Sequence, residues 1–217
     1  MKNSLRDYLN NRMGHTEKPV IRQNPVITIA RDSGCPSKVI GQIIADYFNW
    51  ELISKETIIN SAKSLNIDPV KMEEVMKGKQ QDFTTSFIDS FNKDLKNNDL
   101  KIKHTIEDIL RYYISRGNCV IIGRGGNTIA TGHPKSIRVK LEAPLNWRIK
   151  QYIIHDGYSK EKAIRIINEN DTQRERFRKI FNNNKDLTNT DFDIIFNCEN
   201  LTNNQIANTL IELVKSF

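Results

Sequence analysis

A chain of 217 residues is long enough to form one domain with a sizeable hydrophobic core, so it needs no metal ion or disulfide for stability. Hydrophobic residues make up 38% and charged residues 27% of the sequence, which excludes a disordered chain. The 33 lysines and arginines outnumber the 26 aspartates and glutamates, and the formal charge of +7 favours an anionic partner: nucleic acid, an anionic membrane surface or a phosphorylated small molecule.

The first predicted elements are a polar arm and a buried strand. Residues 1–24 are polar with a helical pattern, and we expect them to form an arm ahead of the folded domain, residues 25–217. The β-branched apolar run at 26–30 is typical of a buried strand in a parallel sheet. A turn containing Gly34 and Pro36 follows. The helix after this turn is predicted to bury one apolar face, formed by Val39, Ile43, Ile44 and Tyr47.

Strand and helix patterns alternate through the rest of the chain. Further strands are predicted at residues 50–53, 119–122, 136–141 and 192–196. Helical patterns occupy residues 54–116, 144–156 and 159–181, and a closing helix begins after a capping box at Thr202. This alternation predicts an α/β fold, a five-stranded parallel sheet with helices on both faces. Ligands bind at the carboxyl ends of the strands in such sheets, so the residues after each strand are the candidate site.

The turn after the first strand has the layout of a phosphate-binding loop, in which backbone N–H groups and a helix N-terminus bind phosphate oxygens. The full G-x-x-x-x-G-K-[ST] signature is absent. Gly34 is the only glycine of residues 31–38, Pro36 has no N–H to donate, and Lys38 falls within the start of the helix. An ordinary strand-to-helix turn is the alternative interpretation.

Two further segments place arginines where a phosphate could be bound. Arg124 stands between Gly123 and Gly125 at the end of the third strand, a position suited to a bidentate contact with phosphate. Arg174 and Arg178 are four residues apart and therefore share one face of a helix. The alternatives are a surface arginine in a tight loop and a solvated, charged helix.

The chain has no predicted membrane span, because no apolar run approaches the roughly 18 residues that a span requires. Its first residues lack the apolar core of a secretion signal. Three widely separated cysteines, Cys35, Cys119 and Cys198, show neither a disulfide framework nor metal-ligand spacing. We therefore expect reduced thiols and a cytoplasmic protein.

Six segments follow one another in a characteristic order, at residues 26–34, 50–56, 120–125, 140–145, 171–178 and 192–197. Together they resemble the cytidylate kinase-like family, a branch of the P-loop nucleoside monophosphate kinases, over residues 25–217. The resemblance implies a P-loop nucleoside-triphosphate hydrolase-like fold. It also implies a helical insertion for the nucleoside monophosphate (NMP) at about 54–103 and a mobile lid at about 157–191.

The reaction implied by this resemblance is transfer of the γ-phosphoryl group of ATP to CMP or a related monophosphate, with Mg²⁺. The implied donor-phosphate residues are Arg31, Gly34, Cys35, Ser37 and Lys38. The implied acceptor-binding residues are Gly123 and Arg124. The implied lid residues are Arg148, Asp171, Arg174 and Arg178, with Asp171 orienting an arginine. Lys38, Arg174 and Arg178 are the implied catalytic residues, and no residue is predicted to hold a resident metal ion.

The loop departs from the family pattern in a way that leaves two functions open. Ser37 stands about where the P-loop lysine would be, and Lys38 comes one residue later. Loss of a preorganised phosphate contact typically costs several kcal/mol in the transition state. The chain is therefore either an active nucleotide kinase or a catalytically impaired nucleotide-sensing module on the same fold. Nucleic-acid binding is not expected, because only the +7 charge favours it and no binding motif is present.

Overall fold

A computed structural model describes residues 24–64, 93–182 and 185–217, together with Leu5 and Val70. Almost all of the predicted arm at 1–24 lies outside these residues. So do residues 65–69 and 71–92 of the predicted NMP-binding insertion at 54–103. The limits of the arm, the insertion and the lid stay predictions.

Within the residues described, the sheet has five strands, as predicted. They are β1 (Val26–Arg31), β2 (Glu51–Ile53), β3 (Cys119–Ile122), β4 (Ser136–Glu142) and β5 (Ile194–Asn197). Their order is β2-β3-β1-β4-β5, and every neighbouring pair is parallel. Because the strands are parallel, their carboxyl ends meet at one edge of the sheet, with β1 in the centre.

Seven helices are described around this sheet. They are α1 (Ser37–Phe48), α2 (Lys55–Ser64), α3 (Lys93–Arg116), α4 (Gly126–Ile129), α5 (Leu145–Asp156), α6 (Lys160–Phe181) and α7 (Asn203–Lys215). A short 3₁₀ helix spans Asn189–Asp191. The predicted capping box is confirmed, since the Thr202 side chain accepts the N–H of Gln205 and Gln205 accepts the N–H of Thr202 in return.

Helices cover both faces of the sheet, as predicted. Ile27 and Ile29 of β1 pack in one apolar cluster with buried residues of α1 and α7. Val26 belongs to a second cluster with α3 and with Phe177 and Phe181 of α6. Burial of each large apolar side chain contributes about 1.5–3 kcal/mol to the free energy of folding. The two helical layers therefore stabilise the sheet that carries the candidate site.

The buried face of α1 differs from the prediction. Val39 and Tyr47 are 51% and 55% exposed, whereas Ile40 and Ile44 are completely buried. The reason is Gly41, where an added Cβ would lie 2.8 Å from an isoleucine methyl group of β3. The helix approaches the sheet closely at this glycine, so the buried stripe is centred on a residue that contributes nothing to an apolar pattern.

Strand β2 begins one residue later than predicted and β5 two residues later. The N–H of Trp50 donates to Ala45 O at 2.8 Å and so still belongs to the end of α1. The Asp193 carboxylate accepts the backbone N–H of Arg138 at 2.8 Å and its guanidinium at 2.7 and 3.1 Å. In both places a local hydrogen bond replaces the regular strand ladder.

Gly117, in the turn between α3 and β3, provides a test of chain packing. Its φ is +64°, and an added Cβ would overlap Asn24 and lie 2.6 Å from its carbonyl oxygen. We expect Gly117→Ala to lower the free energy of unfolding by about 2–4 kcal/mol, measured by urea denaturation. Gly132→Ala is the control, because φ there is +83° but nothing lies within 4 Å. Gly132→Ala should lower the free energy of unfolding by only about 1–2 kcal/mol, the cost of a left-handed backbone for alanine. Equal losses in the two variants would show that the contact with Asn24 does not matter.

Candidate functional site

A cavity of about 240 Å³ lies at the carboxyl edge of the sheet and is lined by four arginines. We call it the arginine cavity. Arg31 comes from the end of β1, Arg124 from the turn after β3, and Arg174 and Arg178 from α6. Its other polar and aromatic lining residues are Lys55, Asn127, Asn170, Gln173 and Phe177.

The turn after β3 shapes one wall of the arginine cavity. Gly123, Arg124 and Gly125 all have left-handed backbone, with φ of 67°, 55° and 72°. A Cβ on Gly123 would overlap the guanidinium of Arg31, so glycine is required for that side chain to cross from β1 to β3. The guanidinium of Arg124 lies 5.5 Å from the centre of the Phe177 ring, a cation–π contact that holds it at the cavity.

The electrostatics of the arginine cavity favour a bound anion. Burial, together with the positive charges of Arg174, Arg124 and Arg178, lowers the pKa of Arg31 from its usual range to about 9. Burial also lowers the pKa of Arg174, with an opposing effect of Asp171. Arg31 is therefore repelled by the three other guanidiniums of the arginine cavity. An oxyanion with several acceptor atoms would relieve this repulsion and accept bidentate hydrogen bonds.

The loop between β1 and α1 is held by four side chains of α5 and α6. The N–H of Ser33 donates to Asp171 Oδ1 at 2.7 Å, and its carbonyl accepts from Arg148 Nη1 at 3.2 Å. Its hydroxyl lies 2.9 Å from the Tyr152 hydroxyl and 3.3 Å from Asn170 Nδ2. We call Arg148, Tyr152, Asn170 and Asp171 the clamp. Every polar atom of Ser33 is bonded to it.

Several backbone N–H groups of this loop already have acceptors within the protein. The N–H of Cys35 donates to Asp32 O at 3.2 Å, and that of Ser37 to Cys35 O at 2.9 Å. Pro36 has no N–H. A Cβ on Gly34, whose φ is +93°, would lie 3.2 Å from Arg148 Cβ, so α5 sits directly on the loop. The N–H groups of Ser33, Cys35 and Ser37 therefore already have acceptors, unlike those of an open phosphate-binding loop.

The structure divides the predicted site residues into two groups. Arg31, assigned to the donor loop by its position in the chain, lies in the arginine cavity with Arg124, Arg174 and Arg178. Gly34 lies at the loop against α5, and Cys35 and Ser37 are buried in the loop and at the start of α1. Asp171 joins the two groups, because it forms ion pairs with Arg148 at 2.6 Å and with Arg174 at 3.5 Å. Lys38 is exposed and lines neither the arginine cavity nor the clamp.

Sequence reasoning missed several residues of this site. Tyr152 follows Arg148 by four positions and so shares its helix face, a signal that was available. Asn170 directly precedes Asp171. Lys55 comes two residues after the end of β2 and could have been found by the same strand-end rule that selects Arg124.

No group of three or more histidine, cysteine, aspartate or glutamate residues that could hold a metal ion occurs in the described part of the chain. Mg²⁺ in kinase sites is bound by one or two carboxylates together with substrate phosphates. Asp32 in the loop and Ser37 at the start of α1 carry side-chain oxygens of the kind that could bind a cation arriving with a nucleotide. Burial raises the pKa of Asp32, against the effects of Lys140 and Arg148.

The sequence profile of the cytidylate kinase-like family matches residues 26–200. The chain belongs to this family. The match includes the loop after β1, Arg124 and the whole of α6, so it spans both the arginine cavity and the clamp. No curated protein sequence matches the chain.

Solved structures share the fold of this cytidylate kinase-like chain. An uncharacterized protein from Eubacterium ventriosum is 17% identical, with a TM-score of 0.65, over 89% of this chain and 99% of that one. Shikimate kinase from Bacteroides thetaiotaomicron is 13% identical, with a TM-score of 0.50, over 88% of this chain and 98% of that one. The fold, a five-stranded parallel sheet between helices, is therefore shared with a kinase, as predicted. Within the described ranges, no helix has the length and apolar character needed to cross a membrane.

Proposed function

We propose that this protein binds a nucleoside monophosphate, CMP or a related one, in the arginine cavity and transfers to it the γ-phosphoryl group of ATP. The observation that carries this proposal is the convergence of four guanidiniums on one cavity at the carboxyl edge of the sheet. A phosphomonoester dianion is small enough for such a cavity, and its oxygens match the bidentate geometry of arginine.

The positions of the arginines suggest a division of roles. Arg31 and Arg124 belong to the sheet edge, so they are fixed with respect to β1 and β3 and would bind the acceptor phosphate. Arg174 and Arg178 come from α6 and would stabilise the charge on the group in transfer. Mg²⁺, when bound with ATP, would supply charge neutralisation between the phosphates, and Asp32 and Ser37 would hold it.

A second function is favoured by the loop. Its N–H groups at Ser33, Cys35 and Ser37 already have partners, and the cation that would replace the usual lysine, Lys38, is exposed. A nucleotide-sensing module that binds a monophosphate in the arginine cavity without turnover fits these observations. Measurement of ATP turnover, described in the Discussion, separates the two functions.

The acceptor site is tested by Arg124→Ala with CMP as the ligand. Loss of a charge-assisted contact is expected to weaken CMP binding by about 1.5–3 kcal/mol, measured by isothermal titration calorimetry. That loss is roughly a 10- to 150-fold increase in Kd. Arg111→Ala is the matched control, since Arg111 is an exposed arginine of α3, and it should bind CMP like the wild type. Equal affinity of the wild type and Arg124→Ala for every monophosphate that binds would refute the assignment.

A further inference from the structure

We propose that Asp171 is an internal substitute for a donor phosphate, and that its carboxylate keeps the loop after β1 closed until a polyphosphate displaces it. This inference rests on the proposed function, because it concerns the donor side of the same site. It adds a conformational step that must precede donor binding.

The contacts of Asp171 are those that a phosphate oxygen would make. Oδ1 accepts the N–H of Ser33 at 2.7 Å, and Oδ2 accepts from Arg148 at 2.6 Å. Backbone N–H groups between a strand and the following helix, assisted by a cation, bind phosphate in nucleotide-binding loops. A carboxylate oxygen is an acceptor of the same kind and charge sign. Asp171 therefore occupies a donor that an incoming phosphate would need.

The surrounding contacts hold the loop in this closed arrangement. Arg148 donates to Ser33 O at 3.2 Å and to Ala143 O at 3.1 Å, so its guanidinium connects the loop to the start of α5. The close packing of Gly34 against Arg148 leaves no space for a ligand between the loop and this helix. Ser33 is completely buried, so its N–H becomes accessible only if Asp171 moves.

The Asp171 carboxylate can be reached from the solvent. Its side chain is 32% exposed, whereas that of Arg148 is 12% exposed, so the carboxylate lies on the solvent side of the pair. A polyphosphate could replace the carboxylate at Ser33 and Arg148 and leave these donors satisfied. Because only molecules with an open loop can bind the donor, the apparent Kd for the donor equals the intrinsic Kd divided by the open fraction.

The test compares Asp171→Asn with Glu169→Gln, using ATP and inorganic triphosphate as ligands. Asparagine keeps the shape of the side chain and removes its charge. Glu169 is exposed on the same helix, so its replacement removes the same charge without touching the clamp. We expect Asp171→Asn to bind triphosphate at least about fivefold more tightly than the wild type, and Glu169→Gln to bind it within about twofold.

Amide hydrogen exchange gives a second readout. The N–H of Ser33 should exchange at least about tenfold faster in Asp171→Asn than in the wild type and unchanged in Glu169→Gln, because only the first loses the charged acceptor. Weaker or equal triphosphate binding by Asp171→Asn would overturn the proposal and leave Asp171 a structural residue. If Asp171→Asn does not unfold cooperatively, Asp171→Ser is judged by the same criteria.

A CMP titration of the same variants separates this inference from the proposed function. If CMP binds and triphosphate binding does not tighten in Asp171→Asn, the inference fails while the acceptor site stands. If CMP does not bind the wild type but triphosphate binding tightens as expected, the acceptor assignment fails while Asp171 remains the group that closes the loop.

Discussion

Replacement of Arg31 by methionine is expected to stabilise the protein and, at the same time, to weaken its binding of CMP. The Arg31 side chain is partly buried, and this burial together with the charges of three other arginines lowers its pKa to about 9. Methionine of similar length removes that repulsion, so we expect the free energy of unfolding to rise by about 1–2 kcal/mol. The same change removes a charged donor from the arginine cavity and should weaken CMP binding by at least about 2 kcal/mol.

Urea denaturation and calorimetry measure these two effects independently. Arg111→Met is the control, because it removes an exposed arginine elsewhere and should change both quantities by less than about 0.5 kcal/mol. Inorganic phosphate should raise the melting temperature of the wild type more than that of Arg31→Met, since ligands that bind only the folded state stabilise it. A loss of stability in Arg31→Met without ligand would contradict the electrostatic account of the cavity.

Phosphoryl transfer from ATP to CMP is expected to run below about 0.1 s⁻¹, at least tenfold under the usual range for kinases of about 1–100 s⁻¹. Each missing preorganised donor to a transferring group costs about 10²- to 10³-fold in rate. Here Pro36 provides no N–H, and the N–H of Ser33 is bound to Asp171. A coupled assay of ADP release, carried out with each of the common nucleoside monophosphates, measures the rate.

Lys38→Ala completes this prediction. Because Lys38 is exposed and does not line the arginine cavity, its removal should change the residual rate by less than about twofold. A wild-type rate within the ordinary kinase range would show that the loop opens fully when both substrates bind. In that event Lys38→Ala should lose most of the rate. If it does not, Arg31 is the cation that takes the place of the lysine.

Local sequence patterns singled out three of the four arginines that line the arginine cavity. Arg124 was found because it follows a strand between two glycines, and Arg174 and Arg178 because a spacing of four places them on one helix face. Arg31 was grouped with the donor loop because it directly precedes that loop in the chain. Its true neighbours depend on Gly123, whose missing side chain leaves room for a guanidinium from another strand. This contact joins two different strands, so the local sequence pattern does not show it.

The clamp was beyond local prediction for the same reason. Ser33 and Asp171 are 138 positions apart, and their hydrogen bond depends on how α5 and α6 pack over the loop. The spacing of four places Tyr152 on the helix face of Arg148, but nothing in the sequence shows that this face meets the loop after β1. The same limit explains the misplaced face of α1, where Gly41 sets the approach to the sheet without contributing to the apolar pattern.

Helix α6 carries residues of both the clamp and the arginine cavity. Asp171 and Arg178 are separated by about 10 Å along its axis, at 1.5 Å per residue, and Arg174 lies between them. A shift of α6 that withdraws Asp171 from Ser33 therefore also moves two cavity arginines. If ATP and CMP bind as proposed, they cannot bind independently. The factor by which CMP changes the affinity for ATP must then equal the factor by which ATP changes the affinity for CMP.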